Sequence, residues 1–277
     1  MPAVKPEITF LDENHLRVGD ADFKCCLQEG ELGARLPGSL AVFKPRYLVE
    51  SYIAVRERIA AERIVEVGIY RGGSTALLHA LFQPERLVAI ELTAKPAEAL
   101  STYIETRRLQ SVLRPRYGVD QADRAKVAAI MTEEFAGHDI DLVIDDASHQ
   151  YAPTLATFET LFPRLRPGGL YVIEDWNCQH RVADIRAGAV GESAQSWTAA
   201  LVRAVEQAVP NPERDPRLVR LPLELVLARA SHRDAIRDVT VMDSLVVVQR
   251  GEEALDPAAF RLADLVKDHF GNLRPAG

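Results

Sequence analysis

EVGIYRGGS, residues Glu66 to Ser74, follows the apolar run RIVEV and opens a helical pattern. Gly68, Gly72 and Gly73 permit a tight turn between the two and let backbone amides approach a ligand at the helix start. A strand that runs through a glycine turn into a helix is half of a βαβ unit. The chain repeats this alternation. LVAIEL, VLRPRYG, IDLVIDD and GGLYVIED are short apolar runs, with helical patterns from about Ser74, near 96–108, near 124–135 and near 153–162. LVAIEL and DLVIDD are apolar without alternation, as strands covered on both faces are. Right-handed crossovers then build a parallel sheet. A further helix is expected near 195–208, and the last two strands, IRDVTVMD and SLVVVQR, meet at Asp243-Ser244. That junction is too short for a helical crossover, so they should pair antiparallel. The expected fold is α/β, a doubly wound seven-stranded sheet, mostly parallel with an antiparallel final strand.

LVESYIAVRERIAAER, just upstream, reads as a helix, with Tyr52, Ile53, Val55 and Ile59 among charges. Residues 1–45 read as a small β-rich arm or appendage. ITFLDENHLRV and ADFKCCL are joined by Gly19-Asp20, a hairpin-like signal, and GARLPGSL reads as a linker. Residues 46–252 form the main domain, and 253–277 a C-terminal helical extension. An apolar share of 47% in 277 residues supports a large core, and a net charge of −7 argues against a broad nucleic-acid face. No stretch reaches membrane-spanning length without charges, and MPAVKPEITFLDENHL lacks the apolar centre of a signal peptide. Cys25, Cys26 and Cys178 make no CxxC pair, so a reduced, cytoplasmic setting is expected.

In open α/β sheets ligands bind beyond the carboxyl ends of the strands, so those residues are the ones to read. The glycine spacing is G-x-x-x-G-G, which departs from the G-x-G-x-x-G dinucleotide fingerprint. About 20 residues on, LVAIEL ends on Glu91, where an acid can accept hydrogen bonds from ribose hydroxyls. Together they point to an adenosine-containing cofactor; the alternative is a glycine turn without a ligand. Asp120 and Gln121 lie where an adenine edge could be read, or they cap the helix DRAKVAAIM. Asp146 ends the fourth strand, and Glu174 and Asp175 end the fifth. Carboxylates converging on one sheet edge repel, and a hard cation such as Mg²⁺ relieves this. His149, on the turn after Asp146, could take a proton from a hydroxyl bound to the cation. The alternative has Asp146 capping the turn and His149 exposed.

With those motifs in hand, the region from about Ser51 to Arg250 resembles class I S-adenosylmethionine-dependent methyltransferases, which implies a Rossmann-like sheet. RLRPGGLYVIED looks like the run into their fifth strand. Within that class it resembles the metal-dependent O-methyltransferases, both the catechol type and the sugar type of antibiotic pathways. EVGIYRGGS is similar to the catechol-type loop, including Tyr70 and Ser74. IDDASH resembles the sugar-type motif, in which the second Asp binds Mg²⁺ and the His is the general base. VTVMDSLVVVQRG looks like that group's closing strands. Trp176 departs from the catechol pattern, which has an amide ligand there.

The resemblance implies that Glu66, Gly68, Tyr70, Gly72 and Ser74 border the methionine part of S-adenosylmethionine, that Glu91 holds the ribose, and that Asp120 and Gln121 meet the adenine. It implies Asp146, Glu174 and Asp175 as Mg²⁺ ligands, with Asp145 either a cofactor-side contact or a support for the loop. The expected acceptor is a small hydroxylated molecule, a sugar or a catechol-like ring. Neither nucleic acid nor membrane is an expected partner, and the arm favours a homo-oligomer. WNCQHRVADIRAGAVGESAQSW, from Trp176 to Trp197, is a candidate acceptor lid with His180, Arg181 and Trp197, or an ordinary loop with Trp197, Leu201 and Val205 facing a core. Two other classes compete: an NAD-dependent oxidoreductase, and a non-catalytic binding subunit on the same sheet.

Overall fold

The computed structural model describes residues 5–26, 39–186 and 217–269. The helix expected near 195–208, with Trp197, Leu201 and Val205, lies outside them, as do residues 33–38 of the expected linker. The chain divides into two compact units, residues 1–119 and 120–277.

The first unit opens with a four-stranded sheet: β1 (Ile8–Phe10), β2 (His15–Val18), β3 (Ala21–Cys25) and β4 (Ser39–Val42). The first three strands are antiparallel, and β3 pairs parallel with β4. Val18 faces Ala21 across the Gly19-Asp20 turn, with Gly19 at φ +58°, so the expected hairpin forms. Alternation seats Ala21, Phe23 and Cys25 inward and leaves Asp22 and Lys24 half-buried. ITFLDENHLRV, expected as one segment, supplies two strands, because Asp12 accepts from the Asn14 and His15 amides and turns the chain. Ser39 and Leu40, expected in a linker, begin β4.

Beyond α1 (Arg46–Arg58) come β5 (Arg63–Val67), α2 (Gly73–Phe82), β6 (Arg86–Glu91), α3 (Glu98–Arg107) and β7 (Leu113–Tyr117). The N-terminal sheet and the first βα units share this unit. Arg107 of α3 donates through Nη1 to both carboxylate oxygens of Asp20 at 2.8 Å. A Cβ on Gly73 would lie 2.0 Å from the Ala41 carbonyl oxygen of β4, so only glycine fits there.

The second unit contains α4 (Arg124–Phe135), β8 (Ile140–Asp145), α5 (Tyr151–Leu161), β9 (Leu165–Glu174), α6 (Cys178–Arg186), α7 (Arg220–Ser231), β10 (Ile236–Val241), β11 (Leu245–Arg250) and the short α8 (Leu262–Leu265). The strands β5 to β11 form one seven-stranded sheet of order β10-β11-β9-β8-β5-β6-β7. β5, β6 and β7 pair parallel, as do β8 and β9, while β11 is antiparallel to both β9 and β10. The last strand is thus the antiparallel one, as expected. β8 is buried at all six positions: Leu142, Val143 and Ile144 are apolar without alternation, and the buried Asp141 accepts from Arg166 Nε. The outer strands read differently: β7 is LRPRY and mostly half-buried, its arginines and Pro115 suited to an edge.

The second unit's core gathers around Phe158, stacked on Phe162 at 4.6 Å and edge-on to Tyr171 at 5.0 Å. Phe260 from the C-terminal extension joins this cluster. Among the described residues no helix is long and apolar enough to cross a membrane.

Candidate active site

Among the described residues, six non-glycine residues have positive φ. Gln83, Arg108 and Ala136 are helix C-caps, where that conformation is ordinary. The other three, Tyr70, His149 and Asp175, sit just past the carboxyl ends of β5, β8 and β9. Uncommon backbone held at strand ends points to function.

In the first unit, β5 brings Glu66 to a position 1% exposed, where Thr75 Oγ1 donates to its Oε2. Gly68 follows at φ +101° and Gly72 caps α2 at φ +85°. A Cβ on Gly72 would lie 2.4 Å from Leu100 Cβ, so packing demands this glycine whatever else binds there. Tyr70 is half-exposed, its ring 6.1 Å from that of Phe43. Ser74 is the second residue of α2 and half-buried. Glu91, at the end of β6, accepts from the amides of Ile69 and Tyr70 on one oxygen and of Thr93 on the other, at 2.9–3.0 Å. Burial opposes its charge, yet the backbone N–H groups of Thr93, Tyr70 and Ile69 outweigh that and hold its pKa below the ordinary value. The strand-end acid therefore clamps the glycine turn.

In the second unit, Asp120 and Gln121 are not the cap of α4. Asp123 is, accepting from Lys126 N, while Asp120 accepts from Ala122 N two residues on. Gln121 is 7% exposed, and its amide faces inward: Nε2 donates to Thr157 Oγ1 at 3.0 Å and to Asp145 Oδ1 at 3.3 Å, and Oε1 accepts from Ser148 N. Asp145 also lies inside, 2% exposed, accepting from Tyr171 Oη. Burial pushes its pKa up to about 7, against the opposing pull of Tyr171.

Asp146, His149 and Asp175 come together, their ligand-capable atoms all within 4.8 Å of one another. His149 Nε2 stands 3.8 Å from Asp146 Oδ1 and 4.0 Å from Asp175 Oδ2, with 20–32% of each side chain exposed. Burial opposes charge on the imidazole, but Asp175, Asp146, Glu174 and Asp145 outweigh it and raise its pKa. Glu174 is not in this cluster. It ends β9 opposite Leu245, 3% exposed, whereas Asp175, one residue on, turns left-handed at φ +53° and faces the group. Asp175 N donates to Ser244 O, and Trp176 Nε1 to Met242 O, so the β10–β11 turn braces this corner. Of the expected lid, Arg181 Nη1 reaches Ser244 Oγ at 3.3 Å and His180 is exposed. Residues 187–197 of that segment are outside the described residues.

The donor set fits a small hard cation. Octahedral Mg²⁺, with bonds of about 2.1 Å, places its ligand atoms roughly 3–4.2 Å apart. The Asp146 and Asp175 carboxylates, with ligand atoms within 4.8 Å of each other and partly open to solvent, leave room for further oxygen ligands.

Residues 65–176 match a family model described as a methyltransferase domain. The chain is 32% identical over 146 residues to demethylmacrocin O-methyltransferase of Streptomyces fradiae, covering 50% of this chain and 32% of that protein. It is 49% identical over 61 residues to 8-demethyl-8-alpha-L-rhamnosyl tetracenomycin-C 2'-O-methyltransferase of Streptomyces olivaceus, covering 22% and 16%. The matches thus span about a third or less of these relatives. Among solved structures, a MycE methyltransferase of the mycinamycin pathway, in complex with Mg, SAH and mycinamycin VI, superposes with a TM-score of 0.50 at 24% identity, over 76% of this chain and 50% of that one. That likeness bears on the fold, which is that of class I methyltransferases.

Proposed function

We propose that the chain is an S-adenosylmethionine-dependent O-methyltransferase acting on a sugar hydroxyl of a glycosylated natural product, with His149 as general base. The observation that carries this is the His149 imidazole, 3.8 and 4.0 Å from carboxylates of Asp146 and Asp175 at the ends of two neighbouring strands. Asp146 and Asp175 would hold Mg²⁺. When bound, the cation would lower the pKa of an acceptor hydroxyl and offset the carboxylates that keep a proton on His149.

His149 Nε2 would take and keep the hydroxyl proton, and the oxygen would displace sulfur from the methyl group of S-adenosylmethionine in line, releasing S-adenosylhomocysteine. Glu174, buried beside the cluster, adds negative charge that stabilises the imidazolium once formed. Glu66, Gly68, Tyr70, Gly72, Ser74 and Glu91 of the first unit are the candidate contacts of the cofactor. The names of the relatives support a sugar acceptor, one of them naming a rhamnosyl group and a 2'-O position.

Calorimetry with S-adenosylhomocysteine and NAD side by side tests the cofactor. Methyl transfer to a panel of glycosylated acceptors, with EDTA and then excess Mg²⁺, tests the rest. Binding of the first nucleotide, loss of turnover in EDTA and its return with Mg²⁺ are expected. Preference for NAD, or full turnover under chelation, would sink the reading or its metal.

A further inference from the structure

His149 holds φ +52° in the turn between β8 and α5, a conformation that a residue with a Cβ keeps only where its surroundings dictate it. The chain is tied down on both sides of it. Before it, Ser148 N donates to Gln121 Oε1 at 3.0 Å. Both N–H groups of that amide are taken up by Thr157 and Asp145, and Tyr171 holds Asp145 in turn. After it, Tyr151 Oη donates to Glu224 Oε2 at 2.6 Å, and Arg220 Nε donates to Glu224 Oε1 at 2.8 Å. Gln121 and Glu224 are each 7% exposed, so both contacts are shielded from water.

We propose that Gln121 and Glu224 are positioning residues for His149: two clasps, on residues 148 and 151, fix the turn that presents the imidazole to Asp146 and Asp175. An amide whose two N–H groups are engaged inside the protein has no donor left for an adenine nitrogen. Gln121 therefore serves the turn and not the nucleotide. Glu224 comes from α7, more than seventy residues along the chain from His149, and reaches it through Tyr151. The kinetic consequence rests on the proposed methyltransferase reading; the geometry of the turn does not.

The test uses the full chain and three variants. Tyr151→Phe removes one clasp and Gln121→Leu the other. Glu224→Gln keeps an acceptor for the Tyr151 hydroxyl and serves as the conservative rescue. Tyr151→Phe and Gln121→Leu are expected to lower kcat by about 10- to 100-fold, the scale of a roughly 1 Å misplacement. Their affinity for S-adenosylhomocysteine stays within about twofold of the parent, and Glu224→Gln keeps most of the parent kcat. The His149 imidazole resonance in long-range proton–nitrogen spectra shifts or broadens in the first two and not in the third. Weakened cofactor affinity with unchanged kcat in Gln121→Leu would overturn the assignment, as would an unmoved His149 resonance in Tyr151→Phe. If Gln121→Leu does not fold, Tyr151→Phe decides the matter. If the parent binds no S-adenosylhomocysteine, the methyltransferase reading fails, while the imidazole resonance still reports on the clasps.

Discussion

The Tyr171 hydroxyl donates to Asp145 Oδ2 at 2.8 Å, and both side chains are buried. Tyr171→Phe leaves a buried carboxyl that still accepts from Gln121 but has lost the phenol, at a cost of about 1–3 kcal/mol. The effect has a pH signature. Burial places the folded pKa of Asp145 at about 7, above the ordinary carboxyl value of 3.8, so between those values the folded state holds the extra proton. Stability from this group is full below pH 3.8 and is lost as pH rises through 7. Urea midpoints in EDTA from pH 4 to 8 should fall more steeply for Tyr171→Phe than for the parent, because the phenol is what favours the ionised form. Parallel pH profiles would count against the role given to this contact.

Gly73→Ala sets a methyl group against the Ala41 carbonyl, a backbone atom that cannot swing aside. The expected loss is about 1–3 kcal/mol or more. Gly72→Ala adds the strain of φ +85° to a clash with Leu100. Thermal melts should rank both below Gly137→Ala, where φ is +82° but a Cβ would meet nothing within 4 Å. Equal losses at Gly72 and Gly137 would mean that backbone strain, and not packing, sets the cost there.

His149 titrates above an ordinary histidine because the surrounding carboxylates outweigh its burial. Added Mg²⁺ should lower that pKa, and EDTA should restore it, as read from the imidazole resonances. Asp146→Asn and Asp175→Asn should each weaken the Mg²⁺ effect and lower the histidine pKa in chelator. A titration indifferent to both Mg²⁺ and the two substitutions would remove the cation from between them.

Glu159 is 6% exposed, and its two oxygens serve different tasks: Oε1 accepts from Leu262 N at 2.9 Å, and Oε2 pairs with Arg124. Glu159→Leu should release the C-terminal segment and leave Arg124 without this partner, costing about 1–3 kcal/mol, because the Arg124 side chain is 32% exposed and can turn to water. Limited proteolysis should then cut near residues 252–262 before the rest of the chain. An unchanged digestion pattern would show that the buried Phe260, Leu262 and Leu265 keep the segment seated without Glu159.

Much of the sheet was legible because buried strands carry apolar runs without alternation: the expected IDLVIDD contains β8, which ends one residue sooner, at Asp145, and the 124–135 helix has the expected ends. The site was legible in part. Asp146, His149 and Asp175 stand together, but Glu174 does not join them, because a strand's alternation ends where Asp175 turns left-handed and no local pattern announces that turn. The clasps could not be read at all. Tyr151–Glu224 and Ser148–Gln121 join residues far apart in sequence, and periodicity reports faces, not partners. α7 was missed although Leu221, Leu225 and Ala228 carry a helical spacing; Pro222 within its first turn masks it.

Glu91 holds Ile69, Tyr70 and Thr93 through one carboxylate, so two loops share a single fastening. Occupancy at that acid and the shape of the glycine turn are then linked quantities. A ligand that favours the clamped form stabilises the turn, and a distortion of the turn weakens that ligand by the same free energy. Redesign of residues 66–74 for a different nucleotide would therefore have to treat residue 91 as part of the same element.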